Sequence, residues 1–469
     1  MSQVETMIER AALIAVMGTS FLVPFIGSAL NLALPSLGQE FQTSALLLSW
    51  AVASFLLAAA AFLLPFGRLA DIIGRKKVFL SGLIFFSLAS FLCGLAKSVE
   101  WIIVFRTLQG IAAAMIFCTS MAILTSVYPA NRRGKAFGLS VASTYIGLST
   151  GPVLGGWMCH HLGWRSIFYF IAIMSLLIWI YASTRLKGEW REAEGEKFDM
   201  TGSLLYVFGL AAFLFGMSSV STSISSKYVA FLGLVLIILF VRYELRQAHP
   251  LIEMRLFVNN IAFAFSNLAT MINYSATFAI GFLMSLYLQV VLGYSTQLAG
   301  MVLLSQPVVM ALFSPLAGTL SDRVNPRKVA SLGMALSAVG IFLFVFLGLK
   351  TPLFLIVGNL ALIGLGFALF SSPNTNAIMD LVQPRFYGTA SSTLSTMRMV
   401  GQALSMALVT LLMSIFIADS QLSNVDPSLL MKSIHMTFIL YAILCFLGVF
   451  FSLVGGNIKL IEGNVQGAQ

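Results

Sequence analysis

Charge is scarce in this sequence. Only 9% of its 469 residues are Asp, Glu, Lys or Arg, where a water-soluble domain carries about 25%. With 59% hydrophobic residues and a mean hydropathy of +0.94, that scarcity excludes a soluble enzyme and requires a chain embedded in a lipid bilayer. Cysteine is nearly absent. Cys93, Cys118, Cys159 and Cys445 are scattered, mostly inside apolar runs, and read as small packing residues rather than a disulfide framework or a thiolate metal site. Histidine is as rare: His160 and His161 adjoin, while His249 and His435 stand alone. With no H-E-x-x-H and no paired carboxylates, the convergent groups of an embedded enzyme are missing. No G-x-x-x-x-G-K-[ST] phosphate loop occurs, so direct use of ATP has no support in the sequence, and no cofactor or metal is expected. A receptor would need a sizeable signalling domain, and none is encoded.

What the chain does have is long apolar runs. A helix crossing the hydrocarbon core needs about 20 apolar residues, and the runs predict fourteen such helices. Six lie within about 11–184, two at about 201–219 and 227–243, and six between about 262 and 455. The expected architecture is all-α and integral to the membrane, six plus two plus six. It divides into an N-terminal six-helix half over 1–184, a linker with two inserted helices over 185–260, and a C-terminal half over 261–469. The net charge of +10 invites a nucleic-acid reading, but placement decides against it. Twenty of the 27 Lys and Arg fall at the termini or in alternate loops, five (Lys97, Arg165, Lys227, Lys350, Lys432) in the opposite loops, and two (Arg106, Arg398) inside apolar spans. Such asymmetry is the positive-inside pattern, which puts both termini in the cytoplasm of a multi-pass cell-membrane protein. The first apolar run is too long for a signal-peptide core and follows no basic segment, so it is expected to remain as the first span.

The charged joint between the second and third spans, Gly67-Arg68-Leu69-Ala70-Asp71-Ile72-Ile73-Gly74-Arg75-Lys76-Lys77, has its weaker copy at Gly318-Thr319-Leu320-Ser321-Asp322-Arg323-Val324-Asn325-Pro326-Arg327-Lys328. Charge of that density cannot lie in hydrocarbon, and the two glycines are expected to allow a tight turn between antiparallel helices. The copies lie 251 residues apart, more than one six-span block needs, which is what places the inserted pair between the halves. The first copy resembles the loop signature of the major facilitator superfamily at every key position. Further strings extend the resemblance. Gly147-Leu148-Ser149-Thr150-Gly151-Pro152-Val153-Leu154-Gly155-Gly156 is similar to that superfamily's antiporter motif, which marks exporters. Arg106-Thr107-Leu108-Gln109-Gly110 resembles a fourth-helix motif. Phe198-Asp199-Met200-Thr201-Gly202, Pro250 to Phe257, Tyr287-Leu288-Gln289 and Gly293-Tyr294-Ser295 resemble flanking sequences of its fourteen-span drug:proton antiporters, the quaternary-ammonium and multidrug exporters.

The residues give their own reading beside the resemblance. Glycines four apart line one helix face and admit a close neighbour. Arg106, inside a span, either faces the bundle interior or snorkels to the outer surface. Asn31, near the end of the first span, faces a cavity or makes an interhelical hydrogen bond. The stretch 185–199, with Glu189, Glu192, Glu194, Glu196 and Asp199 among Arg185, Lys187, Arg191 and Lys197, is expected to be a solvated linker. The resemblance implies a cytoplasmic gate built from Gly67, Asp71, Gly74, Arg75, Gly318, Asp322 and Arg323. It also implies export of an amphipathic small molecule with a proton as the coupling ion. Arg106, Gln109, Asn31, Gln289, Arg398 and Asp380 are the candidates for the cavity and for coupling. One departure stands out: where that branch carries an aspartate, five residues before Asn31, this chain has Ile26. No other carboxylate lies deep in a span, so proton coupling is expected through peripheral groups: Asp71 and Asp380 first, then His160 or His161. The same gap leaves a lipid, vitamin or metabolite as the alternative cargo.

Overall fold

The computed structural model describes residues 3–219, 224–247, 250–321, 323–383, 387–417 and 426–454. In hydrocarbon every backbone N–H and C=O must find its partner within the protein, and helices satisfy that requirement segment by segment. The chain answers with α1 (Gln3–Phe41), α2 (Ala45–Ile73), α3 (Arg75–Leu95), α4 (Val99–Val127), α5 (Ala130–Leu162) and α6 (Arg165–Arg185). The hairpin α7 (Met200–Ser218) and α8 (Ile224–Glu244) follows, then a short α9 (Met254–Asn259). The ninth crossing is broken into α10 (Ile261–Thr277), α11 (Ile280–Leu286) and a π-turn at Tyr287–Val291. The tenth is α12 (Thr296–Leu303) followed by α13 (Ser305–Ser321). The last four are α14 (Pro326–Leu343), α15 (Leu353–Met379), α16 (Tyr387–Phe416) and α17 (Pro427–Val454). Among the described residues thirteen of these crossings are long and apolar enough to span a membrane. The fourteenth is α5, whose 33 residues are diluted by the glycines, serines and threonines of its small-residue face.

The two six-helix halves repeat one packing scheme. In the first, α2 and α3 pack on α4, α1 on α5 and α6, and α3 on α6; in the second, α13 and α14 pack on α15, α10 on α16 and α17, and α14 on α17. Even the glycines correspond. Gly67 faces Cys118 of α4, and Gly318 faces Ser372 of α15. Neither is in the turn, which corrects the expectation that both glycines of the first joint, Gly67 and Gly74, form it: α2 runs on as helix to Ile73, and α13 likewise to Ser321. Only Gly74 turns the chain, with φ +123, a conformation an L side chain rarely adopts.

The break between α10 and α11 is closed from neighbouring helices. The freed Ala279 amide donates to Ser405 Oγ at 3.1 Å, and the Tyr441 hydroxyl donates to the Ser405 carbonyl at 2.7 Å. The inserted hairpin lies outside both bundles. Its inner helix, α7, packs on α2 and on α16 and so covers the seam between the halves. The Tyr206 hydroxyl donates to the Ala60 carbonyl at 3.0 Å, and the Phe215 ring lies 5.3 Å from that of Trp50. Most of α8 remains exposed, as a lipid-facing helix should be.

Small residues bring α1 and α5 together. A Cβ on Gly147 would collide with the Phe21 carbonyl, on Gly151 with the Ser28 hydroxyl, and on Gly155 with Ala29. Gly156 looks the other way, toward the Thr296 carbonyl of α12, and the Pro152 carbonyl meets Gly300. One helix thus serves two contacts. Gly151→Leu should lower the unfolding free energy by about 1–3 kcal/mol through forced separation of the backbones, measured as thermal unfolding in detergent. Gly138→Leu on the same helix, where an added Cβ meets nothing within 4 Å, should not; equal losses from both would reduce the row to generic helix packing.

Candidate functional site

At the face where α2 ends and α3 begins, which carries most of the Lys and Arg and is called the basic face below, the 186–199 stretch is docked rather than solvated. This corrects the linker expectation. The Arg75 amide donates to the Trp190 carbonyl at 3.0 Å, and the Ala193 amide to the Asp71 carbonyl at 3.0 Å. Gly74, the N-cap of α3, has no side chain to offer, and Glu189 supplies the missing acceptor: its Oε1 takes the Lys76 amide at 2.8 Å. A carboxylate is favoured there by the helix dipole. Charge pairing completes the strap. The Arg75 guanidinium reaches Asp71 at 2.8 Å, Glu192 at 2.6 Å and the Ser126 hydroxyl of α4 at 2.7 Å, and Arg68 pairs with Glu196. No hydrogen bond joins Asp71 to α16 among the described residues; the Ser392 hydroxyl turns back to its own helix at Thr389.

The second joint differs. Asp322 lies outside the described residues. Arg323, Asn325, Asn376 and Asp380 line an open hollow of about 630 Å³ where the first joint has its strap. Asp380 itself is exposed at the end of α15.

On the opposite, far side of the molecule the halves are clasped. The Ser285 hydroxyl donates to the Asn31 carbonyl at 2.6 Å. The Gln289 amide donates to Ser285 Oγ at 2.9 Å and to the Leu32 carbonyl at 3.3 Å, and the Thr296 hydroxyl donates to Gln289 Oε1 at 3.0 Å. Asn31 and Gln289, chosen separately from the sequence, therefore meet through Ser285. Gln289 sits in the π-turn, where the wider coil re-aims the side chain. Ser49 and Thr410 hydroxyls pair at 3.0 Å on the same side. Near mid-depth the Tyr145 hydroxyl of α5 pairs with the Ser314 hydroxyl of α13 at 3.3 Å.

Around that mid-depth contact lies a cluster of aromatic and polar groups. Tyr145, Met310 and Phe367 pack together with Leu148 and Tyr274 against them. Arg398, half-buried about 16 Å along α16 at 1.5 Å per residue, donates to the Thr375 hydroxyl at 2.8 Å and lies 5.8 Å from the Tyr274 ring. Its Nε is buried without a partner, and no carboxylate pairs with it among the described residues. A guanidinium over an aromatic face, with an unused donor, can take an anionic or π-rich group. The tyrosines and Phe367 were not singled out from the sequence, because 39 Phe and 12 Tyr give no periodic signal that separates an interface ring from a lipid-facing one.

Arg106 is enclosed inside the N-terminal half. It is 1% exposed, so it does not snorkel. Its Nε donates to the Ala51 carbonyl at 3.1 Å, its Nη1 to Gln109 Oε1 at 2.5 Å, and its guanidinium stacks 4.2 Å from the Phe55 ring. Gln109 passes the chain of bonds to Ser90 at 2.7 Å. All of these partners belong to α2, α3 and α4, and Ile26 is equally buried on α1.

The Major Facilitator Superfamily model matches residues 16–245 and 267–462. The chain belongs to that superfamily. It is a membrane transporter, not an enzyme. The transporter is 29% identical over 433 residues to the riboflavin transporter RibZ of Clostridioides difficile, covering 92% of this chain and 93% of that protein. It is 30% identical to the multidrug resistance protein Stp of Mycobacterium tuberculosis, with 83% and 73% covered, and 31% identical to the cephamycin export protein CmcT of Amycolatopsis lactamdurans, with 86% and 85% covered. Among solved structures, a bacterial homologue of the human lysosomal transporter Spinster shares the fold at a TM-score of 0.70 and 15% identity, with 97% of each chain covered.

The enclosure of Arg106 makes it a support of the N-terminal bundle. Arg106→Ala should cost about 1–3 kcal/mol by leaving Gln109 and the Ala51 carbonyl short of a donor, seen as a lower thermal midpoint in detergent. Arg106→Lys, able to reach only part of the set, should fall between. An unchanged midpoint for Arg106→Ala would show that these bonds carry no net stability.

Proposed function

We propose that this protein is a secondary transporter that exports amphipathic aromatic small molecules across the cytoplasmic membrane, driven by the proton gradient. The moving bodies are the halves 1–184 and 261–469, which alternate access to a mid-depth site, with 185–260 supplying the linker and the inserted pair. The observation that carries the cargo reading is Arg398: a mid-depth cation between Tyr274 and Thr375, with a free donor and no carboxylate partner. Such a site selects neutral or anionic aromatic compounds over organic cations. The multidrug and cephamycin export names of two relatives, together with the antiporter-type string at Gly147, Gly151, Pro152, Gly155 and Gly156, support the direction. The positive-inside asymmetry assigns the basic face, and with it both termini, to the cytoplasm. On that assignment the far-side clasp through Asn31, Ser285 and Gln289 is the outer gate in its shut position. The loops with Gly67, Asp71, Gly74, Arg75, Gly318, Asp322 and Arg323 form the inner gate, with Asp71 turning from Arg75 to the start of α16 near Ser391 and Ser392 when that gate shuts.

A second reading keeps the fold and changes the cargo to a metabolite or vitamin with a flat ring system. It is favoured by the similarity to a riboflavin transporter over nearly the full length of both chains, and by the missing first-span aspartate at Ile26. Flux into and out of proteoliposomes, with imposed proton gradients, separates the readings across aromatic anions, aromatic cations and riboflavin. Arg398→Gln should raise the KM for an anionic aromatic cargo about tenfold, the ~1.4 kcal/mol of one charge-assisted contact, with Arg398→Lys in between. If Arg398→Gln transports anionic, neutral and cationic cargo as the wild type does, the site lies elsewhere.

A further inference from the structure

At the basic face, where α7 begins and α8 ends, two carboxylates meet. Asp199 caps α7: its Oδ1 accepts from the Gly202 amide at 2.9 Å and from the Tyr243 hydroxyl at 3.2 Å. Glu244, the last residue of α8, is 2% exposed, and its Oε2 accepts from the Leu251 amide at 2.7 Å and the Ile252 amide at 3.4 Å. The remaining oxygens, Asp199 Oδ2 and Glu244 Oε1, are sealed from solvent and have no hydrogen-bond partner among the described residues. They converge on one point. Asp199 Oδ2 lies 2.5 Å, and Glu244 Oε1 2.6 Å, from where a Cβ on Gly202 would stand. Only glycine leaves that space free.

Each element packed around the pair contributes a group. From α2 comes Arg68, paired with Glu196 and close enough to act on Glu244, its Nε buried without a partner. From α8 comes Tyr243, which Thr201 of α7 also reaches. Two ionised oxygens facing each other in a dry space repel strongly, and each also bears the cost of an unmade hydrogen bond. A single proton on one of them removes the repulsion and lets the pair close into one O–H···O bond. A metal ion fits less well. No group of three or more His, Cys, Asp or Glu side chains converges among the described residues, and a hard cation asks for about six oxygens.

We propose that Glu244 is a proton-binding site of this transporter, its Oε1 carrying a proton that is donated to Asp199 Oδ2. The proton enters from water at the basic face and leaves to it, so nothing else is consumed or released. Bound, it ties the end of α8 to the start of α7. Lost, it leaves two like charges beneath α7, the helix that covers the seam between α2 and α16, and beside Arg68 near the end of α2. Proton occupancy is thereby linked to the joint that the halves move about. This deepens the proton-driven reading, and rests on it only for the use to which the proton is put, not for its binding.

The test uses the purified full-length protein in detergent, without cargo or gradient, with infrared difference spectra recorded through a pH titration. The wild type should show a carboxylic-acid C=O band that disappears as pH rises. Glu244→Gln should abolish that band while its amide oxygen still accepts from Leu251 and Ile252. Asp199→Asn should keep the band and move its midpoint to lower pH, because the neighbouring negative charge that favours protonation is gone. A band that survives Glu244→Gln, or a midpoint indifferent to Asp199→Asn, overturns the assignment. So does a sodium-dependent rise in thermal midpoint in the absence of any titrating band. The same variants in proteoliposomes separate this inference from the function. If the band behaves as expected while wild-type cargo flux ignores an imposed pH gradient, the proton site stands and proton-driven export fails. If wild-type flux follows the gradient and Glu244→Gln keeps full coupling, the link to the joint is overturned.

Discussion

The guanidinium of Arg75 is the fixed point of the N-terminal half. It is 5% exposed and holds groups from three separate segments: Asp71 at the end of α2, Ser126 of α4 and Glu192 of the strap. An ion this far from water must be saturated with hydrogen bonds to be tolerated. The residues that saturate it are therefore brought into register by it. That is why a stretch rich in carboxylates lies flat on the joint between α2 and α3 instead of waving in solution. It is also why the inserted hairpin, which begins where the strap ends, starts from a defined place beside α2. Among the described residues the second half has no such cover, and its corresponding joint stands open. Two halves with the same helix packing thus differ in how firmly their basic-face joints are held.

Much of the architecture was legible because hydrocarbon imposes its own grammar. Fourteen apolar runs, the charged joint with its weaker copy, and the interval between them specify six plus two plus six, since span length and charge placement depend on composition alone. Small residues at 147, 151 and 155 were equally readable, because steric closeness leaves a period of four. The strap was not. Its alternation of acids and bases is what a solvated segment also shows, and only the three-dimensional position of Arg68, Arg75 and the bare α3 terminus distinguishes the two. Arg106 was legible as a charge inside a span, with the bundle interior and the outer surface both open to it, since sequence depth along a helix does not say which neighbours surround it. The carboxylates of 199 and 244 are far apart in the chain and each sits at a helix end, the most ordinary place for an acid. Their meeting across Gly202 is a property of the hairpin.

The position of α7 changes how a rocking motion has to be pictured. A helix lodged against both α2 and α16 is strained by any change of angle between them, unless it slides with one and releases the other. Its hydrogen bond from Tyr206 and its ring contact at Trp50 are both to α2, so it travels with the N-terminal half. On the rocking motion proposed above, the slip plane then falls between α7 and α16.

Arg398 has an electrical consequence. A charge held near mid-depth feels a share of the membrane voltage set by which bath it is open to. A full elementary charge moved through 100 mV is worth about 2.3 kcal/mol. On the alternating-access reading proposed above, that share changes as access passes from one face to the other although the side chain scarcely moves, and the empty carrier's return becomes an electrogenic step. On the same proposal an anionic passenger cancels the charge and makes the loaded step electrically silent. Membrane voltage would then set how often the unloaded transporter faces each side.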